Sequence, residues 1–232
     1  MKLLLSLSLA ALALANPIEK RQYVGQNTEN QLTDGTPCRA ITILFARGTT
    51  ESGNVGTLAG PPFFQAVVGD VGASKVAVQG VGTPKLLRPR CEGVVADGSV
   101  GRQVDYAADI AGFDEGGDPA GAATLAGLIK RAQTQCPNTK LVVSGYSQGG
   151  QVVHKAALEL SASQTAFINS VVIFGDPDDG EPVGSVPSSK VLIICHVGDD
   201  ICLHGDLILP PHLTYGENAQ QAATFVVSKA GL

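Results

Sequence analysis

The sequence predicts an α/β fold, a three-layer domain in which helices cover both faces of a central, mostly five-stranded parallel sheet. Three observations lead to this prediction. Short apolar runs alternate with amphipathic stretches along most of the chain. The runs are rich in leucine and β-branched residues without polar alternation, which is typical of strands buried on both faces. The 28 glycines suit a fold with many tight turns between strands and helices.

Five apolar runs are the candidate strands, and amphipathic stretches lie between them. The predicted strands are Ile41 to Ala46, Lys75 to Val78, Lys140 to Val143, Ser170 to Phe174 and Lys190 to Cys195. The predicted helices are Pro62 to Val71, Pro119 to Gln135, Gln148 to Leu160 and Glu217 to Val227. Asp118 is the expected cap of the second helix, because Pro119 is suited to a first helical position. Residues 22–37 are polar and are predicted to form a loose N-terminal segment.

The N-terminus has the pattern of a secretory signal. Lys2 precedes an apolar run from Leu3 to Leu14, and Ala13 and Ala15 give a small-x-small cleavage pattern, so residues 1–15 are predicted to be a signal peptide. The dibasic pair Lys20–Arg21 predicts a short propeptide over residues 16–21, unless the single cut after Ala15 is the only one. A secreted, extracellular protein without a membrane anchor is expected, because the run is too short to span a bilayer.

Composition and charge reduce the number of functions that the chain is expected to have. Apolar residues make up 44% of the 232 residues and charged residues 16%, which is typical of a globular chain. The net charge is −5 and becomes more negative when the basic leader is removed, so nucleic acid is not an expected partner. The five cysteines lack a C-x-x-C pair, so no metal site is predicted and disulfides are expected in an extracellular context. No cofactor is expected, and we expect a monomer.

The segment Gly145–Gly149 carries the strongest chemical signal. It has the pattern G-x-S-x-G, follows an apolar strand and opens an amphipathic helix, which is the setting of a nucleophile elbow in the α/β-hydrolase type of fold. The flanking glycines allow the sharp turn that raises Ser147 above the helix N-terminus, where backbone N–H groups can meet an oxyanion. Ser147 is therefore the candidate nucleophile.

A serine needs a base, and in this type of fold the acid and then the histidine follow the serine along the chain. His154 is predicted to be a surface or packing residue of the helix, His196 to lie at the rim of the sheet, and His204 to be solvated. His212 lies in a loop stiffened by two prolines before the last helix, which suits a base that must be held in place. His212 is therefore the candidate base.

The acid is expected after the second strand that follows the nucleophile strand, which leaves Asp199 and Asp200 as alternatives. Asp176, Asp178 and Asp179 follow the earlier strand and are interpreted as solvated residues of a turn.

Several motifs together resemble the fungal cutinases. They are the elbow with its preceding Cys136–Pro137, the stretches 46–51 (ARGTTE), 195–202 (CHVGDDIC) and 211–216 (PHLTYG), and the resemblance runs from about Cys38 to the C-terminus. It implies a cutinase-type catalytic domain over residues 38–232, without a lid, that hydrolyses carboxylic esters through a Ser-His-Asp triad and an acyl-enzyme.

The resemblance also implies roles for single residues. The family's acid follows the glycine of C-x-x-G-D-x-x-C, so Asp199 is implied as the acid and Asp200 as its exposed neighbour. Thr49 and the backbone N–H of Gln148 are implied as the oxyanion hole. The disulfides implied are Cys38–Cys136 and Cys195–Cys202.

The implied substrate is cutin or a similar aliphatic polyester, together with short-to-medium acyl esters. Apolar residues flank His212, and Ile208, Leu209 and Leu213 are the candidate acyl contacts, although they could instead pack under the last helix. Two other functions stay open: an esterase acting on another polymer such as acetylated xylan, and a secreted surface protein that has lost catalysis. The absence of tryptophan favours acyl chains over sugars, and the complete set of Ser147, Asp199 and His212 favours an active enzyme.

One segment interrupts the resemblance. Residues 81–103, from Val81 to Gln103, have no clear periodicity and contain Cys91, the odd cysteine. Valine codons begin with GT and one glutamine codon is CAG, so the coding sequence of the segment could begin and end as a spliced intron does. The segment could therefore be an unspliced intron in the gene sequence. The alternative is a genuine surface loop.

Overall fold

A parallel five-stranded sheet forms the centre of the protein, which we describe from a computed structural model over residues 22–82 and 106–232. The strands follow the order β2-β1-β3-β4-β5, and every neighbouring pair is parallel. They are β1 (Ile41–Ala46), β2 (Val76–Gly80), β3 (Lys140–Tyr146), β4 (Ile168–Phe174) and β5 (Val191–Ile194). The predicted sheet is confirmed, with differences of a few residues at the strand ends.

Helices cover both faces of this sheet. In the described part of the chain they are α1 (Gly60–Val71), α2 (Ile110–Asp114), α3 (Pro119–Gln135), α4 (Gln148–Leu158), α5 (Ala162–Phe167) and α6 (Ala219–Ala230). The Asp118 side chain accepts hydrogen bonds from the backbone N–H groups of Ala120 and Gly121 and so caps α3, as the sequence predicts. The short helices α2 and α5 are not predicted, because five or six residues are too few to establish a helical period.

Two hydrophobic clusters lie on opposite faces of the sheet. One contains the buried side chains of α1 and α6, and the other contains those of α3 and α4. Strand β1 contributes to both, because Ile43 and Phe45 lie in the first cluster whereas Leu44 and Ala46 lie in the second. This alternation is the period of a strand, and it gives the predicted three layers.

The N-terminal segment, expected to be loose, instead packs against the edge of the sheet. Tyr23 is fully buried, and its backbone N–H donates to Gln65 Oε1 at 3.0 Å. The Gln31 N–H donates to the Val78 carbonyl, and Gln31 Oε1 accepts from the Val78 N–H, both at 2.9 Å. These bonds satisfy backbone groups on the open side of β2, so the polar side chain of Gln31 is buried and paired rather than solvated.

Two disulfides cross-link the chain, and they are the same pairs that the resemblance implies. Cys38–Cys136, here called the long-range disulfide, spans 98 residues, and Cys195–Cys202, the acid-loop disulfide, spans 7.

Val81 is buried, and its N–H donates to the Phe45 carbonyl at 2.9 Å. Most of the interrupting segment, with Cys91, and the expected signal peptide and propeptide lie outside the described residues. Within 22–82 and 106–232, none of the helices has both the length and the apolarity needed to cross a membrane.

Candidate active site

Ser147 lies in a strained turn between β3 and α4. Its backbone has φ 55° and ψ −126°, a combination that a residue with a side chain rarely adopts. The Ser147 N–H donates to the Phe174 carbonyl at 2.9 Å, and the Ser147 carbonyl accepts from the Gly150 N–H at 2.7 Å. The side chain makes no capping bond to its own helix. The surrounding structure thus maintains the strain and leaves the hydroxyl available, as expected of a nucleophile elbow.

Two glycines make this turn possible because no side chain would fit there. A Cβ on Gly145 would lie 2.2 Å from the Gly149 carbonyl oxygen, and a Cβ on Gly149 would lie 2.0 Å from that of Ala46. Strand β3, helix α4 and strand β1 therefore approach each other at backbone distance. The flanking glycines of the sequence motif are thus required by this close approach.

His212 lies beside the elbow and is hydrogen-bonded to a buried carboxylate. Its Nδ1 lies 2.8 Å from Asp199 Oδ2, and since a carboxylate can only accept, Nδ1 carries the proton. Nε2 is then an acceptor, and it is buried without a hydrogen-bond partner among the described residues. Ser147 and His212 line the same cavity. The imidazole is therefore held in the tautomer that can take a proton from a neighbouring hydroxyl.

The two aspartates that the residues alone leave open have different surroundings. Asp199 is fully buried, and its Oδ1 accepts from the Ile201 N–H at 3.1 Å while its Oδ2 accepts from His212. Asp200 is half-buried rather than exposed, and its Oδ2 accepts from the Leu207 N–H at 3.0 Å. Of the two carboxylates, only that of Asp199 is hydrogen-bonded to the imidazole. The Asp200 carboxylate instead stabilises the following loop through its bond to Leu207.

Two tyrosines that the sequence analysis does not single out surround the histidine. The Tyr146 ring stacks on His212 with centroids 5.1 Å apart, and its hydroxyl donates to the His212 carbonyl at 2.8 Å. The Tyr215 hydroxyl donates to Asp199 Oδ2 at 2.6 Å. Burial raises the pKa of both phenols, with a further rise from the negative charges of Glu51 and Asp199 at Tyr146 and from the hydrogen bond to Asp199 at Tyr215. Both remain neutral hydroxyl donors.

The two candidate oxyanion donors lie next to each other. Gln148 is the first residue of α4, so its backbone N–H has no acceptor within the helix. Its side-chain Nε2 donates to Thr49 Oγ1 at 3.2 Å and to the Asp109 carbonyl at 2.5 Å. The Thr49 hydroxyl accepts this bond and keeps its own proton available. The side chain of Gln148 therefore positions Thr49, a role that a motif based on the backbone does not reveal.

The loop that carries Thr49 is fastened by a charged side chain on each side. Glu51 Oε2 accepts from the Gly48 N–H at 2.9 Å, and Glu51 Oε1 accepts from the Leu58 N–H at 3.0 Å. Arg47 Nε donates to the Glu51 carbonyl at 2.8 Å. Such a loop is ordered before substrate binds, which favours electrostatic stabilisation of a developing charge.

A cavity of about 510 Å³ opens beside Ser147 and His212. Of the three candidate acyl contacts, Ile208 and Leu213 line it and Leu209 does not. The other apolar side chains of the lining are Leu58, Ile110 and Phe113, the last two from α2. Ile110 and Ile208 are 66% and 56% exposed, so the cavity reaches the surface. The unpredicted helix α2 thus forms one apolar wall, and the loop before His212 forms part of another.

A second histidine–aspartate pair lies outside this cavity, and its aspartate belongs to the turn that is expected to be solvated. Asp176 is fully buried, and its Oδ2 lies 2.9 Å from His154 Nε2. The expectation that Asp176 is solvated is wrong, because the turn after β4 folds onto α4 and the two side chains satisfy each other there, whereas His154 is a buried packing residue, one of the two alternatives predicted for it. With Asp178 they form a group that could hold a metal ion. The hydrogen bond between the first two accounts for their proximity, and the absence of a metal site stays a prediction.

Two further histidines contact neighbouring loops. His196 is half-buried and lies within hydrogen-bond distance of the Pro211 carbonyl and Asn218 Oδ1. His204 is exposed, as predicted, and its Nδ1 contacts the Pro177 carbonyl at 2.7 Å.

Comparison with known proteins places the chain among esterases. A family model described as Cutinase matches residues 37–230. A cutinase of Monilinia fructicola is 49% identical over 194 residues, which cover 84% of this chain and 85% of that protein. The solved structure of a Trichoderma reesei cutinase in complex with a C11Y4 phosphonate inhibitor is 41% identical, with a TM-score of 0.74 over 88% of this chain and 80% of that one. A solved acetylxylan esterase is 25% identical, with a TM-score of 0.57 over 84% of this chain and 100% of that one.

Proposed function

The chain belongs to the cutinase family and is a carboxylic ester hydrolase, and we propose that it hydrolyses cutin or similar aliphatic polyesters, and short-to-medium acyl esters, through Ser147, His212 and Asp199. The observation that carries the proposal is the buried hydrogen bond between His212 and Asp199 beside a strained serine in one cavity. This arrangement has the parts of the Ser-His-Asp triad, in which each residue has a separate role.

The reaction begins when His212 Nε2 accepts the Ser147 hydroxyl proton and Oγ attacks the ester carbonyl carbon. A C–O bond forms, and the carbonyl π electrons move to its oxygen. The Thr49 hydroxyl and the Gln148 N–H donate to this oxyanion, each contributing about 3 kcal/mol by analogy with donors removed elsewhere. Asp199 holds the imidazole and stabilises its cation.

The tetrahedral intermediate then collapses. The bond to the alcohol oxygen breaks, and the alcohol leaves with the proton from His212. Water enters, gives one proton to His212 and attacks the acyl carbon. The carboxylic acid is released, and Ser147 regains its proton. Apart from the ester and the water, these steps use only groups of the chain.

The lining of the cavity supports an aliphatic acyl substrate. Leu58, Ile110, Phe113, Ile208 and Leu213 present carbon to it, and an alkyl chain in contact with them leaves water. Acetylated xylan is the second candidate, because a solved acetylxylan esterase shares the fold. Its acetyl group would use little of this apolar lining, so the observations favour the longer acyl chain.

Secretion and a monomeric state complete the proposal. The signal-peptide pattern of residues 1–15 and the two disulfides suit an oxidising, extracellular location. A mature N-terminus after residue 15 or 21, found by sequencing protein from culture medium, would identify the cleavage sites. Size-exclusion chromatography with light scattering measures the assembly state, and a stable dimer would contradict the monomer.

The first test compares the wild-type chain with Ser147→Ala. The substitution should abolish hydrolysis of p-nitrophenyl butyrate and leave the melting temperature within a few degrees. Ser144→Ala is the matched control, since Ser144 is a buried serine of β3 that does not line the cavity, and it should retain activity. Residual hydrolysis by folded Ser147→Ala near the wild-type rate would refute the nucleophile.

The second test addresses the substrate. Rates are measured on p-nitrophenyl esters from acetate to palmitate, with cutin and acetylxylan alongside. We expect kcat/KM to rise from acetate to butyrate or beyond, and cutin to release fatty acids. A maximum at acetate together with release of acetate from acetylxylan would replace the proposed substrate by the second candidate.

A further inference from the structure

The Tyr215 hydroxyl stands at the centre of a buried hydrogen-bond chain that ends on the proposed triad. Its oxygen accepts from the backbone N–H of His196 at 2.9 Å and lies 2.6 Å from Asp199 Oδ2. Because a carboxylate oxygen can only accept, the phenolic proton points to Asp199 Oδ2. Asp199 Oδ2 thus receives two donors, the Tyr215 O–H and the His212 Nδ1–H.

The ring of Tyr215 is fixed as firmly as its hydroxyl. The residue is fully buried, and the imidazole of His196 stacks on it with centroids 4.1 Å apart. Phe174 and His212 contact it edge-on at 6.4 Å and 6.0 Å. The hydroxyl can therefore hold the Asp199 carboxylate in one orientation, whereas a mobile side chain could not.

We propose that Tyr215 is a positioning residue that acts through Asp199: its hydroxyl orients the carboxylate and limits how strongly the carboxylate stabilises the protonated form of His212. The proposal rests on the triad proposed above. Two donors on one oxygen share its negative charge, so each is bound less strongly than it would be alone. Removal of the Tyr215 donor concentrates the charge on the remaining proton, that of His212 Nδ1. The imidazolium becomes more stable, and the base is lost at a higher pH.

Other charged and titratable groups lie in the surroundings of the imidazole. Glu51, Asp114 and Asp206 line the same cavity, and the Tyr146 ring stacks on His212. His196 approaches from the other side of Tyr215. A substitution at position 215 leaves these groups in place. The difference between the pH profiles of variant and wild type therefore isolates the hydroxyl.

The test is the pH dependence of kcat/KM for Tyr215→Phe with p-nitrophenyl butyrate. We expect the midpoint of the acid limb to move upward by about 0.5 to 1 pH unit. At the optimum kcat should fall about tenfold, with KM within about twofold of wild type. Tyr23→Phe is the control, because Tyr23 is a buried tyrosine whose hydroxyl contacts Gln31 Oε1 at 3.4 Å, outside the site, and its acid limb should not move.

A purely structural role predicts a different result. Tyr215→Phe leaves the His196 N–H without its acceptor, so a lower melting temperature is expected in either case. If kcat falls while the acid limb stays in place, Tyr215 only supports the fold and the proposal is overturned. A shift to lower pH, or an effect on KM alone, overturns it as well.

A second replacement covers the case in which Tyr215→Phe does not fold. Site-specific incorporation of 3-fluorotyrosine at position 215 keeps the shape and makes the hydroxyl a stronger donor, so the acid limb should move to lower pH. An unmoved or raised acid limb overturns the proposal. Ser147→Ala separates the two levels of inference, because an active Ser147→Ala refutes the triad itself. If Ser147→Ala is inactive but the variants at position 215 show no shift of the acid limb, only the role of Tyr215 is refuted.

Discussion

Replacing the buried carboxylate by an amide tests the proposed acid, because the structure assigns every donor around it. Asp199 Oδ2 accepts from His212 Nδ1 and the Tyr215 hydroxyl, and Oδ1 accepts from the Ile201 N–H. In Asp199→Asn, one of these two positions becomes an NH₂ group, which donates and cannot accept. No orientation of the amide satisfies all three donors.

Each orientation of this amide has a defined consequence. With NH₂ at the Oδ1 position it meets the Ile201 N–H, and two donors face each other in a fully buried place. With NH₂ at the Oδ2 position, His212 Nδ1 must become the acceptor, and the proton moves to Nε2. The imidazole then cannot take a proton from Ser147. The second orientation keeps the backbone bond, so we expect it to dominate.

The expected loss follows from the tautomer. In a triad with the wrong tautomer kcat falls by about 10⁴, which corresponds to about 5.4 kcal/mol of transition-state stabilisation. Asp200→Asn is the matched control, because its amide oxygen can still accept from the Leu207 N–H, and we expect kcat within about twofold of wild type. Hydrolysis of p-nitrophenyl butyrate is measured for both, with the folded fraction checked by circular dichroism. A loss below about tenfold in Asp199→Asn, or a loss above tenfold in Asp200→Asn, would refute the assignment.

Two further substitutions test the elbow and the second histidine–aspartate pair. Gly149→Ala should lower the free energy of unfolding by about 1–3 kcal/mol, because its Cβ would lie 2.0 Å from the Ala46 carbonyl oxygen. Gly127→Ala is the control, because a Cβ at this position of α3 meets open space, and it should be neutral or stabilising in urea unfolding. Equal losses of unfolding free energy in the two variants would contradict the argument. Burial lowers the pKa of His154, but the hydrogen bond and the charge of Asp176 outweigh this effect and raise that pKa above 6.5. The pair therefore contributes its full stabilisation of the folded state below about pH 6.5, and this contribution is lost as the pH rises through the raised pKa. His154→Gln should therefore lower the free energy of unfolding by about 1–3 kcal/mol near pH 5.5 and by less near pH 9, and a loss that grows with pH would be inconsistent with the pair.

The sheet and the longer helices could be predicted because their signals are local. Continuous apolar runs identify β1 to β5, and Asp118–Pro119 marks the start of α3. Helix α2 has no such signal, yet it supplies Ile110 and Phe113 to the cavity wall. Its first turn is instead defined by Asp109, whose side chain accepts from the Gly112 N–H at 2.9 Å. A helix this short depends on its cap and on tertiary contacts, which periodicity does not contain.

The burial of single polar residues does not follow from the sequence. Asp176 and Gln31 lie in polar stretches that resemble solvated loops, but both are buried, and their partners are far away in sequence. The choice between Asp199 and Asp200 depended on the family resemblance, because the two are neighbours with the same side chain. Tyr215 could have been noted as the one aromatic residue shortly after His212. Its contact with Asp199 spans 16 residues and only the fold brings the two together.

The most direct test of the central claim, that Ser147 is the nucleophile activated by His212 and Asp199, is peptide mass spectrometry after reaction with a p-nitrophenyl alkylphosphonate. A nucleophilic serine displaces p-nitrophenolate and keeps the phosphonyl group as a stable ester. The account predicts one phosphonyl group per chain, on the peptide that contains Ser147, with loss of activity in proportion to labelling. Labelling should be abolished in Ser147→Ala and slowed by orders of magnitude in Asp199→Asn. An adduct on another residue, or full labelling of Asp199→Asn at the wild-type rate, would contradict it.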